Sequence, residues 1–107
     1  MRAVNCYDME NSALANSEDS DARYVRPNLK GAMYNNCEFT NVDFVGGDFY
    51  GGSFSRCKFK NVKFINPKDG FLPRFIMCKF DGVEFTGVES EDLEFGSCDL
   101  KNVKVTA

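Results

Sequence analysis

The segment Cys37-Glu-Phe-Thr-Asn-Val-Asp-Phe44 recurs three times along the chain. It returns as Cys57-Lys-Phe-Lys-Asn-Val-Lys-Phe64, Cys78-Lys-Phe-Asp-Gly-Val-Glu-Phe85 and Cys98-Asp-Leu-Lys-Asn-Val-Lys-Val105, so the cysteines are 20, 21 and 20 residues apart. Within each copy the large apolar residues lie five positions apart. That spacing matches neither the 3.6-residue period of a helix nor the two-residue period of a strand. A fixed longer period is typical of a solenoid, in which each repeat packs against the next.

The five-residue spacing extends well beyond these copies. The residues that keep this spacing are Phe39, Phe44, Phe49, Phe54, Phe59 and Phe64 and, after a short interruption, Phe75, Phe80, Phe85, Phe95, Leu100 and Val105. Four such steps make one turn of 20 residues, so each step forms one side of a square, and equivalent sides stack in successive turns. We therefore predict an all-β fold, a four-sided parallel β-helix solenoid of about four coils.

The residues around each central apolar position agree with this geometry. In a narrow coil the central side chain and the residue two before it point inward, so the first is large and the second is small or β-branched. The residue two after the centre turns a corner, where glycine and asparagine tolerate a left-handed backbone. These corner positions are Asn36, Asn41, Gly46, Gly51, Asn61, Asn66, Gly82, Gly87 and Asn102. Turn chemistry and period thus predict the same fold.

These units resemble the pentapeptide repeat family, whose unit is a small residue, Asp or Asn, Leu or Phe, and two mostly polar residues. Ala32-Met-Tyr-Asn-Asn, Val42-Asp-Phe-Val-Gly and Gly47-Asp-Phe-Tyr-Gly are three examples. The resemblance covers roughly residues 22–107. It implies that the predicted solenoid is a right-handed quadrilateral β-helix.

Two segments depart from the regular pattern. Residues 1–21 are polar and acidic and lack the phenylalanines, so we expect either an irregular first coil or a cap, followed by the β-helix over residues 22–107. Residues 65–74 carry Pro67, Gly70 and Pro73 and the one extra residue of the 21-residue interval. They predict a loop insertion, which is either a binding element or a tolerated bulge.

Cysteine and histidine usage bears on metal binding and catalysis. Cys37, Cys57, Cys78 and Cys98 occupy the same inward position in successive coils, about 4.8 Å apart in a row. A row does not give the tetrahedron that zinc requires, so we expect packed thiols and no metal. The chain has no histidine, and its carboxylates project from flat faces, so we expect no catalytic residues, no cofactor and no enzymatic activity.

Length and hydropathy bear on location. At 107 residues the chain is one domain. No apolar run is long enough to span a membrane, and the first residues, Met1-Arg-Ala-Val-Asn, lack the apolar centre of a signal peptide. We therefore expect a cytoplasmic protein with no membrane contact.

Two groups of residues are candidates for partner binding. The first is an acidic stretch toward the C-terminal end, comprising Glu84, Glu89, Glu91, Asp92, Glu94 and Asp99. Within it Ser90 takes the place of a phenylalanine. The second group is Phe71 and Leu72 in the predicted loop, which either cover the core or form an apolar tip. The acidic stretch is equally explained as a solubilising end.

A third candidate is a dimer contact. The last predicted strand places Leu100, Val103 and Val105 at an uncovered coil end. Such an end presents unpaired backbone groups and an apolar cross-section. We therefore expect a homodimer formed end to end through these residues.

The resemblance also implies a function. The pentapeptide repeat family includes dimeric rods that imitate duplex DNA and inhibit or protect DNA gyrase, and small acidic proteins of phages and mobile elements use the same logic against nucleic-acid-handling defence enzymes. It thus implies a DNA-mimicking inhibitor whose partner is a DNA-binding protein or complex. That partner would be a topoisomerase such as gyrase or a defence nuclease complex such as CRISPR-Cas.

Two other functions remain open. The chain could be an interaction scaffold that presents the 65–74 loop to a protein partner without DNA mimicry. It could also bind nucleic acid directly through the basic residues Arg56, Lys58, Lys60, Lys63 and Lys68. The net charge of -3 and the scatter of these residues over different faces argue against direct nucleic-acid binding.

Overall fold

The computed structural model describes residues 1–107 and is an all-β solenoid. Its strands are β1 (Arg2–Asn5), β2 (Ala13–Ala15), β3 (Glu18–Val25), β4 (Met33–Asn35), β5 (Glu38–Val45), β6 (Ser53–Ser55), β7 (Lys58–Ile65), β8 (Arg74–Ile76), β9 (Lys79–Thr86), β10 (Phe95–Gly96) and β11 (Asp99–Thr106). Two short 3-10 turns, Lys68–Gly70 and Ser90–Asp92, interrupt the last coils. No helix is both long and apolar enough to cross a membrane. The predicted fold class is confirmed.

Strands of successive coils pair in parallel to form two sheets. The long sheet has the order β1-β3-β5-β7-β9-β11, and the short sheet has the order β10-β8-β6-β4-β2. Glu38 pairs with Lys58 and Lys58 with Lys79, which are offsets of one predicted turn. The register that the sequence period predicts is therefore the register of the structure.

Residues with positive φ lie at most corners. Such residues recur every five positions through most of the chain, which gives four corners per turn. All nine glycine and asparagine corners predicted from the sequence, from Asn36 to Asn102, have positive φ. Side-chain amides link some corners of adjacent coils: the Asn36 amide donates to Asn16 over 2.8 Å, and that of Asn61 to Asn41 over 3.1 Å. The right-handed sense of the coil stays a prediction.

The core is a set of aromatic columns parallel to the solenoid axis. In one column Phe59 stacks on Phe39 at 5.3 Å and on Phe80 at 5.0 Å between ring centroids. Rings of neighbouring columns meet edge to face, as Phe54 and Phe59 do. Both geometries are favourable for aromatic pairs, so each coil packs on the coils above and below it.

Residues 1–21 form the first coil. Strand β1 pairs with β3, and β2 pairs with β4, both in parallel and with the same offset as the later coils. Between β1 and β2, Asp8 pairs in parallel with Asn28 of the second coil through an isolated bridge. From the sequence, either an irregular first coil or a cap was expected for this segment, and the structure shows a coil. The solenoid accordingly has about five turns, one more than the about four coils predicted.

Candidate functional site

One side of the solenoid differs from the others, and we call it the loop face. It consists of residues 7–11, 27–31, 47–51, 67–73 and 88–93, which lie before the short strands β2, β4, β6, β8 and β10. In the first coils this side has no strand, and isolated bridges at Asp8, Asn28 and Asp48 join it together with backbone hydrogen bonds such as that from Gly31 N–H to the Tyr50 carbonyl over 2.9 Å. In the last coils the two 3-10 turns replace the bridges. The irregular segments of the chain thus collect on one side.

The predicted loop insertion lies on this face. Ile65 still belongs to β7 and Arg74 to β8, so the loop itself is residues 66–73. Pro67 and Pro73 are buried, and residues 68–71 bulge outward through a turn in which Asp69 has a φ of 55°. The extra residue of the 21-residue interval is therefore placed between two fixed prolines, and the coils on either side keep their register.

Phe71 and Leu72 behave differently from each other. Leu72 is half-buried and packs against the core. Phe71 is 47% exposed and packs edge to face on Tyr50, at 5.4 Å between ring centroids. Tyr50 belongs to the preceding coil and is itself 59% exposed. Tyr50 was not predicted as a binding residue, although its position directly after the inward Phe49 marks it as an outward aromatic.

The six acidic candidates do not form one surface. Glu89, Glu91 and Asp92 lie together on the loop face, are exposed and form no salt bridge. The other three lie elsewhere: Glu84 is in register with Lys63 and Lys104, Asp99 with Lys79, and Glu94 pairs with Arg74 at 3.2 Å. Ser90 is exposed in the same turn as Glu91 and Asp92. Only half of the predicted acidic set shares a face.

The charged residues of the long sheet pair with one another between coils. Arg23 lies 3.7 Å from Asp43, and Lys58 lies 3.5 Å from Glu38. Exposed pairs of this kind stabilise a protein by only about 0–1 kcal/mol each. This side therefore resembles a solvated wall, and its lysines are interleaved with carboxylates.

The cysteine row has the predicted arrangement. Lys58 N–H bonds to the carbonyl of Cys37, and Lys79 N–H to that of Cys57, so the cysteines stack. Their thiols bond to backbone carbonyls, as Cys57 does to Ser55 at 3.3 Å, and all are free. The hydrogen bond with Cys78, together with burial, raises the pKa of the Cys57 thiol. No three histidine, cysteine or acidic side chains lie close enough to hold a metal ion.

A recess at the first coil was not predicted from the sequence. Its volume is about 210 Å³, and it is lined by Tyr7, Tyr24, Tyr34 and Asp19 among others. Asp19 pairs with Arg2 at 2.6 Å and accepts a hydrogen bond from the Tyr24 hydroxyl. The hydroxyls of Tyr7 and Tyr34 are 3.1 Å apart. Burial, then the hydrogen bond with Tyr7, raises the pKa of Tyr34, which therefore stays protonated at neutral pH.

The predicted dimer residues lie on the last coil. Leu100 is 49% exposed, and Val103 and Val105 are half-buried. Strand β11 pairs with β9 alone, so its other edge has no strand partner. The structure thus places these three side chains together at one end of the solenoid.

Comparison with known proteins identifies one family for this sequence. Residues 28–61 match the family model for pentapeptide repeats, with 8 copies. No curated protein matches the chain. The matched residues cover most of the second coil and all of the third, and the same pairing and corners continue through the coils that follow.

Proposed function

Because the chain belongs to the pentapeptide repeat family, we propose that it is a non-catalytic protein-interaction module that binds its partner through the loop face. The observation that carries this proposal is the exposed pair of Tyr50 and Phe71 on the same side as three unpaired carboxylates. A flat solenoid side offers mainly solvated charges, whereas this side offers apolar area and net charge together. Loops held by a rigid scaffold are also where binding residues concentrate.

The aromatic pair supplies the apolar part of the surface. Exposed aromatic rings are enriched at protein interfaces, where they bring a large contact area at a low cost in side-chain entropy. The Tyr50 and Phe71 rings already contact each other across two coils. Their arrangement is therefore partly fixed before a partner arrives.

The three loop-face carboxylates determine which kind of partner surface can bind. Glu89, Glu91 and Asp92 have no cation within salt-bridge distance in the structure. A partner with lysine or arginine side chains can therefore pair with them without first breaking an internal ion pair. The partner that fits is a protein with a basic surface and a small apolar depression.

A DNA-handling enzyme is the basic partner that we favour. Its DNA-binding groove is lined with the groups that neutralise phosphates, and the loop-face carboxylates would occupy those groups. This form of DNA mimicry rests on three carboxylates on one side of the solenoid, since Glu84, Glu94 and Asp99 lie beside cations on other sides. Without mimicry, the same surface serves as a scaffold that binds mainly through the aromatic pair.

Two double variants test the loop face. Glu91→Lys with Asp92→Lys inverts its charge, and Tyr50→Ser with Phe71→Ser removes its apolar area. We expect each to reduce capture of the native partner from bacterial lysate by about tenfold or more, as loss of a central interface contact does. Quantitative mass spectrometry of the captured proteins measures the effect, and far-UV circular dichroism checks the fold.

Matched controls separate the site from general effects. Glu18→Lys with Asp99→Lys gives the same charge change at exposed carboxylates off the loop face, and Met33→Ser with Met77→Ser removes exposed apolar side chains from the short-sheet side. Both controls should capture the partner normally. Mimicry further requires that duplex DNA and raised salt displace the partner. If the controls reduced capture of the partner as much as the loop-face variants do, the loop face would not be the binding surface.

We also propose that the last coil contacts a second copy of the chain through Leu100, Val103 and Val105. Their apolar side chains and the unpaired edge of β11 lie at the same end. Sedimentation velocity should show a dimer at micromolar concentration, and Leu100→Lys should shift it to monomer. A native chain that stays monomeric at high micromolar concentration would exclude this contact.

A further inference from the structure

The recess at the first coil arises from one substitution in an aromatic column. Phe39, Phe59, Phe80 and Leu100 occupy successive coils of that column, and Asp19 is the register partner of Phe39 in the first coil. A carboxylate side chain is smaller than a phenylalanine ring. A space of about 210 Å³ therefore remains above Phe39, inside the N-terminal end of the solenoid.

The walls of this recess are aromatic. Tyr7 and Tyr24 meet at 54° with ring centroids 4.8 Å apart, which makes a corner rather than a stack. Phe39 stacks on Phe59 on one side, so its other face is directed toward the first coil. The faces of aromatic rings carry partial negative charge and attract cations.

The charged groups of the recess are mostly acidic. Asp19, Glu18 and Glu38 line it, and the Glu38 carboxylate also lies 3.5 Å from Lys58. The one cationic side chain is Arg2, which donates to the Asp19 carboxylate over 2.6 Å while remaining largely exposed. The recess thus already holds one edge of a guanidinium group.

We propose that this recess binds a small organic cation that carries a guanidinium or ammonium group, at a site separate from the loop face. The cation would pair with Asp19 and lie against the rings of Tyr7, Tyr24 and Phe39. Arg2 is the internal competitor, and because its side chain is 60% exposed its ion pair with Asp19 can be exchanged at low cost. The volume is below the 300 Å³ or so of ordinary drug-sized sites, which restricts the ligand to a few heavy atoms.

Titration of the full chain with methylguanidinium chloride, followed by two-dimensional NMR, tests the site. We expect saturable shifts of the Asp19 and Ser20 amides and of the Tyr24 ring. Arg2→Ala should lower the apparent Kd by about tenfold, because a competitor that fills a site nine-tenths of the time raises the apparent Kd by that factor. Tetramethylammonium is the second probe, and saturation by either cation supports the site.

Three controls make the result decisive. Methylurea has the shape of methylguanidinium without its charge and should cause no saturable shift. Asp19→Asn should abolish binding while keeping the side-chain size, and Asp19→Leu should abolish it while restoring the apolar side chain that other coils carry. A dispersed native spectrum shows that each variant is folded. Absence of saturation in the Arg2→Ala chain, or equal binding of methylurea, would overturn the proposal.

Discussion

Replacing Phe59 with alanine is expected to lower the free energy of unfolding by about 4 kcal/mol, the usual cost of removing a buried phenylalanine side chain. Phe59 is fully buried near the middle of the solenoid. It stacks on Phe39 and Phe80 and meets Phe54, Phe64 and Phe75 edge to face. Native domains are stable by only about 5–15 kcal/mol, so the variant should unfold at much lower urea concentration, as followed by far-UV circular dichroism.

The size of this effect follows from the position of Phe59 in the repeat. Neighbouring coils stabilise one another mainly through their shared interfaces. Loss of the Phe59 ring weakens the interfaces on both of its sides, because it stacks on one ring in the preceding coil and one in the following coil. The cavity cannot close by sliding one coil, since the backbone ladders on both sides fix the spacing.

Two variants calibrate the Phe59 result. Phe71→Ala removes an exposed ring of the loop face and should change the free energy of unfolding by less than about 1 kcal/mol. Phe95→Ala removes a half-buried ring near the last coil and should fall between the two. Equal losses for Phe59 and Phe71 would contradict the assignment of the aromatic columns as the source of stability.

The sequence determined the register of the coils because its period is the period of the backbone. Glu38, Lys58, Lys79 and Asp99 were expected to stack from their spacing alone, and they are register partners in the structure. The corners were equally predictable, since glycine and asparagine are the residues that accept a left-handed φ at low cost. Arg26, Arg56 and Met77 also have positive φ, and only their place in the five-residue phase indicates it.

The first coil was harder to predict because its inward residues are not phenylalanine. Val4, Met9, Leu14 and Asp19 occupy the central positions there, and none is distinctive by itself. The corners carried a signal that the central positions lack: Asn11 and Asn16 are five residues apart and both have positive φ. The coil is therefore specified by turn chemistry and by pairing with β3 and β4 rather than by its own core residues.

The loop face shows the limit of the repeat as a guide. Its last two segments, 67–73 and 88–93, contain 3-10 turns and no strand. The five-residue period therefore does not predict which of their side chains point outward. The sequence could not decide between Phe71 and Leu72, because that choice depends on the bulge between Pro67 and Pro73. The acidic stretch divides for a related reason: adjacent residues turn a corner, so nearness in sequence does not place carboxylates on one side.

Replacing Gly47 with alanine is expected to lower the free energy of unfolding by about 3 kcal/mol, from backbone strain and overpacking together. Gly47 has a φ of +99°, which L-residues rarely adopt. A Cβ atom there would lie 2.9 Å from Cδ of Pro27 and 3.1 Å from the Pro27 carbonyl oxygen. The backbone cannot move away easily, because the Lys68 N–H bonds to the Gly47 carbonyl over 2.7 Å and the Asp48 N–H bonds to the Pro27 carbonyl over 3.0 Å.

Gly51→Ala is the matched control for Gly47→Ala. Gly51 also has a positive φ, +72°, but no atom lies within 4 Å of the Cβ that alanine would add. Its replacement therefore costs only the left-handed conformation, about 1 kcal/mol. The difference between the two variants in urea unfolding measures the close packing of Gly47 on Pro27. Equal losses would mean that backbone conformation alone requires glycine at position 47. The close contact between Gly47 and Pro27 would then contribute nothing to the loss of stability.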